Sequence, residues 1–119
     1  MNVIEMKGDN IINNLINSEI KRISKNDSKK IYNLKINTQY EKIIISKNSK
    51  GIATNFQAIL TSVFIIDHNN TVSEISFQEK QNFKNTSNAF EQKNYEDIIK
   101  KNFAVSIIRK LNLELLNKQ

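Results

Sequence analysis

Apolar residues recur along this chain with two different periods. Tyr32, Leu34, Ile36, Thr38 and Tyr40 alternate with Asn33, Lys35, Asn37 and Gln39, which is how a strand with one buried face reads. Ile12, Leu15, Ile16, Ile20 and Ile23 instead fall at helical spacing. The spacing predicts a short strand over 2–7 that ends at Gly8, then Asp9 as the N-cap of a helix that loses its pattern at Ser24. A polar, basic connection follows at 25–30. The alternating strand continues through Ile43–Ile45 and stops at a loop over 46–51. A long strand over 53–66 comes next, with Phe56, Ala58, Leu60, Phe64 and Ile66 on one face and Ile59, Val63 and Ile65 on the other. Its β-branched and aromatic content suits a central strand.

Asp67-His68-Asn69-Asn70 supplies turn chemistry for a second hairpin. Residues 72–83 form the last strand, with Ile75, Phe77 and Phe83 on one face and a polar middle over 78–81. Ser87-Asn88 caps a long final helix. In it Ile99, Phe103, Ile107, Leu111 and Leu115 recur every four residues, flanked by Tyr95, Ile98, Ile108 and Leu116. The order is β-α-β-β-β-α. It predicts an α+β fold of two helices packed on one face of a mostly antiparallel four-stranded sheet, with the first strand at the edge or in the middle. Its 119 residues suit a single domain over 1–119. Two helices cover one face of a sheet, yet the third strand is apolar on both. The leftover face is therefore a candidate contact surface.

Composition changes this picture in one respect. The formal charge is +6 and the pI about 9.6, which suits a polyanionic partner. Ile, Asn and Lys abound while arginine is limited to Arg22 and Arg109. All three abundant residues have AT-rich codons, so the placement of the lysines matters more than their number. The chemistry of catalysis is thinly represented. There is no cysteine, hence no thiol nucleophile or thiolate metal site. His68 is the sole histidine and falls in a turn, where it should be solvated. Asp9, Asp67, Glu74 and Glu79 belong to caps, turns and strand surfaces. Gly8 and Gly51 are the only glycines, too few for a phosphate-cradling loop. A non-enzymatic protein without cofactor or metal is expected. No run approaches the roughly 18 apolar residues of a membrane span.

Particular residues carry a resemblance. A capped first helix precedes a Tyr32-x-Leu34-x-Ile36 strand, and Gly51 with Ala53-Thr54 opens a long strand ending in Asp67. Asn88-Ala89-Phe90, Tyr95-Glu96, Ala104, Ile107, Ile108 and Leu111 follow. In these the chain resembles the LptE family over nearly its whole length. The resemblance implies two helices on a four-stranded sheet and a lipoprotein at the periplasmic face of the outer membrane. It also implies partnership with an LptD-like β-barrel, whose lumen the family plugs, and contact with lipopolysaccharide during its assembly into the Gram-negative envelope. Two departures stand out. The lipidated cysteine is absent, so a signal peptide and that cysteine are expected ahead of Met1 in the native protein. Asn55 stands where the family often carries arginine.

The residues point independently to an anionic ligand at one end. In a meander the second and fourth strands run the same way, so the 46–51 loop and the end of the fourth strand meet. That end collects Lys47, Lys50, Lys80 and Lys84, with Lys93 early in the last helix. Ammonium groups beside a helix N-terminus suit phosphates, and lipid A phosphates fit. The α-β-β-β-α order and the basic pI also match a double-stranded-RNA-binding module. There, however, Glu91, Glu96 and Asp97 beside Lys93 would repel the backbone, and the first hairpin loop lacks a histidine. No nucleic acid is therefore expected. A cytosolic interaction scaffold is the third reading.

Overall fold

The computed structural model describes residues 1–24 and 32–117. The basic connection expected at 25–30 lies outside the described residues. The elements are β1 (Asn2–Gly8), α1 (Asn10–Ser24), β2 (Asn33–Lys47), β3 (Ala53–His68), β4 (Thr71–Lys84) and α2 (Ala89–Asn117). They follow the expected order, and the strands form one sheet in the order β1-β2-β3-β4. β1 lies at an edge and pairs parallel with β2, because the intervening helix carries the chain back to its starting end. The other two pairings are antiparallel.

Local chemistry sets the boundaries. The Asp9 carboxylate accepts the Ile12 N–H at 2.9 Å and caps α1. The Asn88 side chain accepts from the N–H groups of Phe90 and Glu91 at 3.0 and 3.1 Å and caps α2. Asn69 and Asn70 have φ of 51° and 63°, as a tight two-residue hairpin turn requires. In the other hairpin, Asn48 accepts from the N–H groups of Lys50 and Ile52.

One face of the sheet holds the core. Leu34, Ile36, Ala58, Leu60, Phe64, Ile66 and Phe83 are buried against Ile12, Ile16 and Ile20 of α1 and Ile99, Phe103, Ala104, Ile107, Ile108, Leu111 and Leu115 of α2. Thr38 is buried there too, and its hydroxyl donates to the Asn13 side chain at 2.8 Å. That bond offsets the cost of desolvating both groups.

The lengths do not match, and this shapes the molecule. α1 has 15 residues, enough for about 22 Å, whereas the 29 residues of α2 reach about 43 Å and the 16 of β3 about 53 Å. The molecule is accordingly 57 Å long and 23 Å wide. α1 starts opposite Thr38 and runs back beside the C-terminal half of α2, whose Leu115 carbonyl lies 3.5 Å from the Tyr32 hydroxyl. Beyond Thr38 the helical layer is α2 alone among the described residues. Of the four residues flanking its stripe, Ile108 is buried, while Tyr95, Ile98 and Leu116 are more than half exposed. Their helical spacing alone placed them near the core, but α1 is too short to cover Tyr95 and Ile98.

Candidate functional site

Three surfaces come out of this geometry. The first is the outer sheet face. Ile59, Val63 and Ile65 of β3 project there, flanked in register by Glu41 and Lys80, Asn37 and Ser76, and Lys35 and Glu74. Ile65 is 37% exposed and Ile43, on the same face, 40%. No helix covers them among the described residues. The result is a central apolar stripe with polar margins.

The second is the hairpin end. Lys47 pairs with Ala53, and Asn55 with both Ser46 and Lys84, so Lys47, Lys50 and Lys84 share one end of the sheet. All three are exposed and make no ion pair among the described residues. Lys80 lies further back along β4, opposite Ile59. Lys93 is held by Asp97 at 3.1 Å, a helical pair four residues apart. Between Lys84 and α2 an open cleft of about 530 Å³ is lined by Asn55, Asn82, Phe83, Lys84, Thr86 and Tyr95. Sequence reasoning did not assemble that cleft, because it forms only when α2 folds back over β4. It also passed over a local network. The Asn55 amide donates to the Ser46 hydroxyl at 2.8 Å, and that hydroxyl lies 2.6 Å from the Thr54 hydroxyl. The short polar residues on both sides of the Gly51 loop were the available signal. Asn55 thus ties β2 to β3 beside the hairpin loop.

The third is a groove of about 400 Å³ between the outer edge of β4 and α2, lined among others by Glu79, Gln81, Tyr95, Ile98 and Asn102. At one end the Glu79 carboxylate accepts from the Lys110 ammonium at 3.0 Å and from the Ser106 hydroxyl.

Other polar groups are structural. His68 is half-buried with its ring 4.3 Å from that of Tyr32, so it packs at the end of β3 instead of standing in solvent as a turn residue. Lys42 bonds Glu96 at 2.8 Å and sits over the Phe56 ring. The Tyr40 hydroxyl is buried, and burial followed by the charges of Glu96 and Asp9 pushes its pKa up to about 12. Desolvation favours the neutral phenol, and the Lys100 ammonium rests 4.6 Å from the ring centre. No three His, Asp or Glu side chains gather as a metal set would require among the described residues.

No protein-family model matches the chain, and no curated protein matches it. Solved structures do share its fold. Rare lipoprotein B from Shewanella oneidensis aligns with a TM-score of 0.68 at 9% identity, over 98% of this chain and 98% of that one. A Caulobacter crescentus lipoprotein aligns with a TM-score of 0.68 at 10% identity, over 95% and 86%. A minor lipoprotein from Acinetobacter baumannii aligns with a TM-score of 0.58 at 13% identity, over 92% and 93%. The chain shares the fold of these bacterial lipoproteins over 92–98% of its length.

Proposed function

We propose that this chain is a non-catalytic lipoprotein component of the outer membrane that partners an LptD-like β-barrel and contacts lipopolysaccharide through its hairpin end. The observation that carries the reading is the alignment of 92–98% of the chain with three bacterial lipoproteins. The residues that resemble the LptE family lie on those same elements. Two surfaces support the finer roles. The outer sheet face offers a partner a central apolar stripe on a rigid scaffold, the kind of exposed patch that marks an interaction site. Lys47, Lys50 and Lys84 offer phosphates three ammonium groups at one end, unpaired among the described residues and next to a cleft with two amide side chains. In this reading Lys80 extends the set along β4, and Lys93 joins it on release from Asp97.

Changing Lys47, Lys50 and Lys84 together to serine should weaken lipopolysaccharide binding about tenfold, equivalent to about 1.4 kcal/mol. Binding by the unmodified protein should also fall as salt rises, since screening acts on exposed charges. Exposed lysines contribute little to folding, so the melting temperature should stay put. A control set at Lys21, Lys35 and Lys101, all exposed, removes the same charge elsewhere. Equal losses from both sets would mean diffuse attraction and no site. Tight binding to duplex RNA with none to lipopolysaccharide would transfer the chain to the RNA-binding class.

A further inference from the structure

β4 is a 14-residue strand that pairs on one side only among the described residues. Its pairing with β3 runs from His68–Thr71 to Asn55–Lys84 without a bulge, and the chain contains no proline. Bulges, prolines and short length are the usual means of blunting an open edge. Here a long regular edge is left with its backbone groups ready to pair. Lysine is another such guard, but the spacing of Lys80 from Glu74 gives it a different use.

We propose that two copies of this chain pair antiparallel through their β4 edges about a two-fold axis at Phe77, with Glu74 of each copy facing Lys80 of the other. Antiparallel two-fold pairing keeps the helices of both copies on one side of a continuous sheet. Residues whose numbers share parity therefore face each other. Centred on Phe77, the pairing runs from Thr71 opposite Phe83 to Phe83 opposite Thr71, nearly the full strand. On the outer face it sets Glu74 against Lys80 twice, Ser76 against Gln78 and Val72 against Asn82. On the helical face it sets Phe77 against itself. Opposite charges and aromatic pairs are the favourable cross-strand combinations. A centre at Ser76 or Gln78 pairs neither charge with its opposite. A centre at Glu79 would bring Glu74 to Lys84, but it sets the Glu79 carboxylates against each other.

Both charges are available for this use. Neither Glu74 nor Lys80 makes an ion pair within the chain among the described residues, whereas Glu79 is turned inward to Lys110 and Ser106. The groove between β4 and α2 opens along the same edge, with Tyr95 51% and Ile98 60% exposed beside it. The register places Ile75 of the second copy opposite Glu79, at the mouth of that groove. The outer sheet face and the Lys47, Lys50 and Lys84 end stay open in the pair, which draws only Lys80 away from the phosphate set. A failed dimer therefore leaves the barrel reading and the three-lysine site untouched.

Sedimentation across a concentration series tests it with two charge reversals. The wild-type chain should associate to twice its 13.8 kDa mass. Glu74→Lys and Lys80→Glu should each sediment as monomers, since each sets like charges opposite at both contacts. An equimolar mixture of the two should restore a dimer, because one variant is then cationic and the other anionic at both contacts. The doubly reversed chain should dimerise by itself. Recovery on mixing also shows that each variant is folded. A wild-type chain that stays monomeric throughout, single reversals that leave a dimer intact, or a mixture that stays monomeric would overturn the proposal.

Discussion

Gly8→Ala should cost about 2–6 kcal/mol, a large part of the roughly 5–15 kcal/mol by which a native domain is stable. Gly8 ends β1 with φ of +108°, a conformation that L side chains rarely adopt. A Cβ built there would lie 1.8 Å from the Thr38 carbonyl oxygen and 2.8 Å from its hydroxyl. Neither neighbour can yield easily. The carbonyl belongs to β2 where β1 pairs with it, and the hydroxyl is bonded to Asn13. The clash therefore reaches the strand pairing, the start of α1 and one buried polar contact together. Gly51→Ala is the control. Its φ is +80° but nothing lies within 4 Å of the added carbon, so it should carry the backbone strain alone, about 1–2 kcal/mol. Urea midpoints compare the two. Equal losses would mean that β1 does not approach Thr38 as described.

Phe64→Ala is the second large effect, at about 3–5 kcal/mol from lost transfer energy and the cavity left behind. Phe64 is fully buried on β3, between Ile36 and Ile75 in the register and 5.9 Å edge-on from the Phe77 ring. The adjacent Ile65→Ala should cost only about 1 kcal/mol, since its side chain lies on the open face. The contrast between neighbours tests the one-sided core, and similar midpoints for both variants would refute it.

These two residues show how much the sequence could reveal. The alternation of β3 separates Phe64 from Ile65 at a glance, and the stripe through Ile99, Phe103 and Ile107 marks the buried side of α2 equally well. Gly8 before Asp9 marks the strand-to-helix corner, but not the carbonyl that crowds it, because Thr38 is distant in sequence. Periodicity failed where two elements differ in length. Tyr95 and Ile98 have core spacing, yet α1 ends its cover before reaching them. His68 was missed for a related reason, since its neighbour Tyr32 lies far away in sequence, just before β2.

The hairpin end was partly legible. The meander itself brings Lys47, Lys50 and Lys84 together. The pairing of Lys93 with Asp97 could have been read from their four-residue spacing. The cleft beside Lys84 could not, because Tyr95 reaches it from α2 through stacking on Phe83. Sequence patterns report what each element hides, and they say little about which elements meet.

The most direct test of the proposed function is co-expression with the LptD-like barrel of the same organism, followed by purification through a tag on the barrel. The account predicts a one-to-one complex with the unmodified chain. It also predicts loss of that complex on Ile43→Glu with Ile65→Glu, two exposed positions on the outer sheet face, with circular dichroism unchanged. A barrel that emerges without this chain, or that retains the doubly substituted chain as well as the wild type, would contradict it.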